Sequence, residues 1–186
     1  KKIIYILKQF SAYLDIKINQ SMLVIDTFTI RYKRGVFFIL FVFILLQFFF
    51  PFRYLAYPGE LFWHEQGYRF SWRVMLTEKT AIANFKITNP NNDTFFYVDN
   101  SNFLTPFQEK QMSFQPDFIL EYAHYLGDYY SEIYENKVGV FADCYVSLNG
   151  RRSQRFINNN IDLYLEKKSF KNKDWILPLK DEIKGF

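Results

Sequence analysis

From Val36 to Phe50 the chain runs fifteen residues without a charge, and Gln47 is the only polar side chain among them. Such a run must be sealed away from water, in a protein core or in lipid. Fifteen helical residues rise about 23 Å, short of a hydrocarbon layer about 30 Å thick. Gly35, Pro51 and Phe52 lengthen the run, and Arg34 and Arg53 can snorkel outward from its ends. Between Val36 and Phe52 there are eight Phe and no polar stripe. A helix in the core of a soluble protein is the alternative, but it normally keeps a polar side. The pattern therefore predicts a transmembrane helix over residues 35–52. The run lies too deep for a signal peptide, and no small-residue cleavage site follows it.

Charge gives this helix a direction. Residues 1–34 hold seven Lys/Arg and two Asp, a net +5, whereas residues 51–186 hold sixteen basic and seventeen acidic residues, a net −1. Arg31, Lys33 and Arg34 stand directly before the run, so the positive-inside rule keeps them in the cytoplasm. Residues 53–186 are then expected on the periplasmic or lumenal side, with Arg53, Tyr54, Tyr57 and Trp63 as an interfacial belt at the exit. Residues 1–34 read as a cytoplasmic or interfacial helical segment, the end of a membrane domain. Their apolar-basic part, residues 1–24, either closes an earlier membrane helix or lies in the interface. The chain has no initiator Met and is expected to be a piece of a longer protein. Because the basic excess stays before residue 35, no nucleic-acid partner is expected. One cysteine, Cys144, excludes an internal disulfide framework, and two His with one Cys do not suffice for a zinc site.

The remainder reads as α+β: an exported domain of mostly antiparallel sheet with one main packed helix. Strands are predicted over Tyr68–Thr77 and Ala81–Thr88, joined by a hairpin-sized link at 78–80, and over Thr94–Val98 beyond the turn at 89–93. Thr105-Pro106 starts a short helix. Gln115-Pro116-Asp117 starts a longer one to about Tyr134, with Phe118, Ile119, Tyr122, Ala123, Leu126, Tyr129, Tyr130 and Ile133 at apolar spacing. His124 flanks that face as a surface or hydrogen-bonded histidine, with a metal or catalytic role as the alternative. Val138–Leu148 alternates most clearly and puts Cys144 on its apolar face, as a buried inert thiol. Asn149-Gly150 then predicts a hairpin, and Arg152–Ile157 the returning strand. Residues 158–160 turn the chain, the basic tail 167–173 is loop, and Trp175–Pro178 docks back by hydrophobicity.

No phosphate loop, dinucleotide fingerprint, nucleophile elbow or paired-histidine site appears. The acids Glu65, Glu78, Asp143 and Asp162 occur singly and read as solvated or salt-bridged charges. Taken alone, these residues define a membrane helix and an α+β domain with no self-contained catalytic constellation.

Five strings in register carry a resemblance. They are Gly67-Tyr68-Arg69-Phe70-Ser71-Trp72-Arg73-Val74-Met75-Leu76, Phe103-Leu104-Thr105, Gln115 to Ala123, Tyr145 to Arg151, and Ile161-Asp162-Leu163 with Asp174 to Pro178. Their order and spacing resemble the vitamin K-dependent gamma-glutamyl carboxylase family, in its bacterial branch with the horizontally transferred transmembrane (HTTM) domain. The similarity covers more than two-thirds of the chain, from the last membrane helix onward.

The resemblance implies an integral membrane lyase that uses vitamin K hydroquinone, O2 and CO2 to carboxylate glutamate in a peptide or protein substrate. The lipid bilayer is the other expected partner. The cofactor would be bound mainly by the preceding membrane domain. The resemblance assigns glutamate-substrate binding to the segment of Tyr68, Ser71 and Trp72. Hydroxyls and an indole N–H suit a carboxylate, and a core strand with a buried Trp is the alternative. The family's catalytic lysine belongs to earlier membrane helices, so no catalytic and no metal residue is expected here. Asn158-Asn159 stands where the family usually has Asp-Pro, and the distal domain that serves propeptide binding in the animal enzymes is not expected. The competing functional reading is a non-catalytic, membrane-anchored exported binding or scaffold domain.

Overall fold

The computed structural model describes residues 9, 33–73, 77–89 and 94–181. The expectations for residues 1–8, 10–32, 74–76 and 90–93 lie outside these. Two compact units are present, Lys1–Ile44 and Leu45–Phe186. In the first, the described residues are those of helix α1 (Lys33–Phe49) up to Ile44, together with Gln9. α1 runs on through Leu45–Phe49 into a 3-10 helix at Phe50–Ala56, with Pro51 as a first-turn residue. The stretch Arg34–Ala56, 23 residues, is long and apolar enough to cross a membrane. Its large side chains, Phe37, Phe38, Phe41 and Leu46 among them, are exposed.

In the second unit the elements follow as α2 (Leu61–His64), β1 (Lys79–Asn89), β2 (Thr94–Tyr97), a 3-10 turn (Asn100–Asn102), α3 (Pro106–Met112), α4 (Pro116–Tyr134), β3 (Gly139–Leu148) and β4 (Gln154–Arg155). All strand pairs are antiparallel in the order β2-β1-β3-β4, so the expected α+β class is observed. The centre is the long pairing of β1 with β3, from Lys79 opposite Leu148 to Thr88 opposite Gly139. Alternation decides which face is buried. Ala83, Phe85 and Ile87 of β1 and Val140, Ala142, Cys144, Val146 and Leu148 of β3 face the core, while Ile82 and Asn84 face out.

Helix α4 covers that face with Ile119, Leu120, Tyr122, Ala123 and Leu126, and Tyr122 meets Phe85 edge-to-face at 4.9 Å. Pro116 and Asp117 open α4, and Glu135 closes it in a left-handed conformation. Thr105 and Gln108 form the reciprocal capping box that starts α3. The tail returns as expected. Ile176 bridges Ile157, Leu177 N–H donates to the Phe156 carbonyl at 2.8 Å, and Trp175 is buried.

Four expectations are corrected. Residues 68–73 form turns and bends, and Thr77 is not in a strand, so β1 begins the sheet and takes in Lys79 and Thr80 of the presumed hairpin link. The left-handed backbone at Gly67, Phe70 and Trp72 breaks any extended run there. The return after Asn149-Gly150 is short, with β4 only two residues long. Both turn residues have positive φ, as a tight hairpin requires, but the ladder beyond is offset by one residue, which marks a bulge. On α4, Phe118, Tyr129 and Ile133 are exposed, and Leu120 and Gly127 are buried instead. The tyrosines from 125 onward lie along the surface and stack on one another, Tyr125 on Tyr129 and Tyr130 on Tyr134.

Asn158 N–H donates to the Trp175 carbonyl, its Oδ1 accepts from Asn160 N–H at 3.1 Å, and its carbonyl accepts from Ile161 N–H at 3.2 Å. An aspartate would serve the same way. Asn159 occupies the turn position that favours proline, so the turn survives the departure from Asp-Pro.

Candidate functional site

The segment between α2 and β1 departs most from its expected form and carries Tyr68, Ser71 and Trp72. Gly67 fixes where it starts. Its φ is 76°, and a Cβ there would come within 2.7 Å of the Tyr54 Cα. Only glycine lets the segment close onto the 3-10 helix that ends the apolar run. Arg53 Nη2 donates to the Arg69 carbonyl at 2.9 Å, and the Phe70 ring lies 5.7 Å from Phe50.

Ser71 is buried. Its N–H and its Oγ–H both donate to the Tyr68 carbonyl, at 3.1 and 2.6 Å. That turn throws Phe70 and Trp72 outward in left-handed conformations, φ 65° and 59°. For residues this bulky the conformation costs about 1–3 kcal/mol each. Trp72 is 74% exposed and Phe70 71%.

The three expected site residues thus lie in one turn but do different things. Trp72 is presented to the outside. The Ser71 proton is engaged by the Tyr68 carbonyl and does not donate outward. Tyr68 is half-buried, its ring edge-to-face on Phe62 at 6.1 Å. Tyr68 and Trp72 do not share a strand face, and Trp72 is not a core residue.

Sequence reasoning gave Arg69 and Arg73 no role of their own. Arg73 Nη2 donates to the Tyr54 hydroxyl at 3.0 Å, and its guanidinium lies 4.5 Å from the Tyr54 ring centre. Arg69 is exposed and lies 4.0 Å from Asp117. Their signal was available, since Arg53, Arg69 and Arg73 are the cations among the aromatics of 50–73.

Behind the turn is a buried charged clamp. Lys79, at the start of β1, donates from Nζ to the Trp63 carbonyl at 2.8 Å and to Glu65 Oε1 at 2.6 Å. Burial lowers the lysine's pKa, and the Glu65 carboxylate opposes that shift. His64 is buried beside it, and burial pushes its pKa down to about 4, so the ring is neutral near pH 7. Its Nδ1 accepts from Gln66 N–H at 2.9 Å.

The other candidates resolve as structural. Burial pushes the Cys144 thiol up to about 12, and its Sγ donates to the Ser113 carbonyl. His124 Nε2 bonds the Glu166 carbonyl at 2.7 Å. Asp162 Oδ1 accepts from the N–H of Val140 and of Tyr164, Asp143 pairs with Arg155 at 3.4 Å, and Glu65 pairs with Lys79. Among the described residues no group of three His, Cys, Asp or Glu is placed to hold a metal.

These features define a class: an α+β domain preceded, among the described residues, by one helix long and apolar enough to cross a membrane. The family model for the vitamin K-dependent gamma-carboxylase lumenal domain matches residues 32–182, and the chain belongs to that family. No curated protein and no solved structure matches it. The family and the apolar helix together indicate a membrane-associated protein with a lumenal segment.

Proposed function

We propose that this chain is the glutamate-presenting part of an integral membrane vitamin K-dependent gamma-glutamyl carboxylase. On this reading residues 35–52 cross the bilayer, residues 53–186 stand on the lumenal or periplasmic side, and the turn at 67–73 receives the glutamate of a peptide or protein substrate. The single observation that carries it is the outward display of Trp72 from a strained turn locked to the end of the apolar run. An exposed indole offers an N–H donor to a carboxylate and a face that excludes water, and Arg69 and Arg73 add positive charge to the same segment. Ser71 and Tyr68 act through the backbone that orients Trp72 and are positioning residues.

Vitamin K hydroquinone, with O2 and CO2, supplies the strong base and the new carboxyl group in such an enzyme. The residues of the run from Val36 to Phe50 do not fit that role, because none of them carries a charge. No quinol or carboxylation step is assigned to them.

Trp72→Ala in the full-length enzyme tests the reading. Glutamate-peptide carboxylation should fall about tenfold relative to vitamin K epoxidation, because positioning is lost and quinol oxidation is not. Being exposed, the residue should change stability by no more than about 0.5 kcal/mol. Equal losses in both reactions with a lower melting temperature would make Trp72 structural. No loss in either would favour the non-catalytic binding or scaffold domain.

A further inference from the structure

The basic tail 167–173 has no role in the reading above, yet it folds onto the exit end of the apolar run. The Tyr57 hydroxyl donates to the Phe170 carbonyl at 2.7 Å. A cleft of about 130 Å³ opens beside this contact, with Arg53, Arg69, Lys171 and Lys173 in its walls and the Tyr57 and Ser169 side chains between them. The two acids of the cleft are already paired. Glu65 holds Lys79 at 2.6 Å, and Asp117 holds Lys173 and lies 4.0 Å from Arg69. Among the described residues no carboxylate lies within ion-pair distance of Arg53 or Lys171, and the Arg53 Nε–H has no hydrogen-bond partner. The cleft therefore carries uncompensated positive charge.

Its surroundings are apolar and exposed. Phe170 is 88% exposed, and Phe52, Leu55 and Phe70 are exposed on the neighbouring segments. Leu45–Ala56, the exit half of the candidate span, belongs to the same compact unit as the cleft. A free anion would satisfy the cations and leave these side chains in water. A lipid satisfies both, with its headgroup phosphate on the cations and its glycerol and upper acyl region against the rings.

We propose that this cleft binds the phosphate of an anionic phospholipid in the leaflet where the span emerges, with Arg53 and Lys171 as the phosphate ligands and Phe170 as a shallow wedge. The domain is then tied to the membrane at a second point, which holds the 67–73 turn at the bilayer surface. This rests on the membrane reading given above.

The test places the full chain in bilayer nanodiscs of phosphatidylcholine doped with phosphatidylglycerol. After gentle extraction, native mass spectrometry identifies the lipid that stays bound. Phosphatidylglycerol should be retained over phosphatidylcholine by about tenfold. The exposed pair Phe170→Ser with Lys171→Gln should abolish that preference at an unchanged melting temperature, and Arg53→Gln should abolish it from the other wall. Equal retention of the two lipids, or a preference untouched in the double variant, overturns the site. Displacement of the bound lipid by inorganic phosphate alone overturns the lipid assignment in favour of a free-anion site. Failure of the underlying membrane reading has its own signature: an alkaline wash then strips the chain from liposomes. Failure of this site alone leaves an inserted chain without lipid preference.

Discussion

His64 is buried and its pKa is held well below the ordinary value, so its protonation bears on stability. Gln66 N–H donates to its Nδ1, so the neutral ring carries its proton on the buried Nε2. Desolvation by burial is the main cause of the fall from 6.5 to about 4; a hydrogen bond with the Gly59 backbone opposes it, and the charges of Lys79 and Lys173 add to it. Between these values the unfolded chain binds a proton that the folded chain refuses. The histidine's contribution is therefore intact above pH 6.5 and is lost as the pH falls towards 4. At about 1.4 kcal/mol per pKa unit, the loss is on the order of 3 kcal/mol. Denaturation midpoints of the wild type should fall across that window, and His64→Asn should flatten the decline. Parallel pH profiles for the two proteins would remove His64 as the cause.

At the scale of an element, α4 carries a glycine in its interior, where glycine costs about 1 kcal/mol relative to alanine. The reason lies across from it. A Cβ at Gly127 would come within 2.2 Å of Tyr164 Cδ2 and 2.5 Å of its Cγ. These atoms are at the base of the ring, so the whole side chain would have to turn and give up the 2.8 Å bond from its hydroxyl to Asp128. Gly127→Ala should therefore destabilise the fold by about 1–2 kcal/mol in urea titrations, despite the better helix propensity. Combining it with Tyr164→Ala should remove the clash and recover the helix gain. A simple sum of the two single effects would show that the close approach is not the cause.

For the whole molecule, the charge difference across α1 predicts the orientation that the proposed function requires. Arg152 is exposed just beyond the Asn149-Gly150 turn, and Cys144 is buried with its thiol pushed up to about 12. Arg152→Cys should thus be the one thiol that a membrane-impermeant maleimide reaches, and it should react on sealed cells or spheroplasts without lysis. Labelling only after permeabilisation would put residues 53–186 in the cytoplasm and sink the proposed function.

Periodicity alone determined much of this protein. The uncharged run at 36–50, the alternation of Val138–Leu148 and the three-and-four spacing after Pro116 each fix an element, because backbone geometry turns a repeat into a face whatever lies beyond it. Charge asymmetry and the family strings were equally legible, since neither depends on contacts. The turn at 67–73 was not. Its aromatic composition reads as strand, and what prevents a strand is the close approach of Gly67 to Tyr54, thirteen residues earlier, with left-handed Phe70 and Trp72 following. The cleft was equally hidden, because Arg53 and Lys171 stand 118 positions apart until the tail folds back. Local repeats are written residue by residue, whereas strain and the meeting of distant charges exist only once the sheet and α4 have brought the segments together.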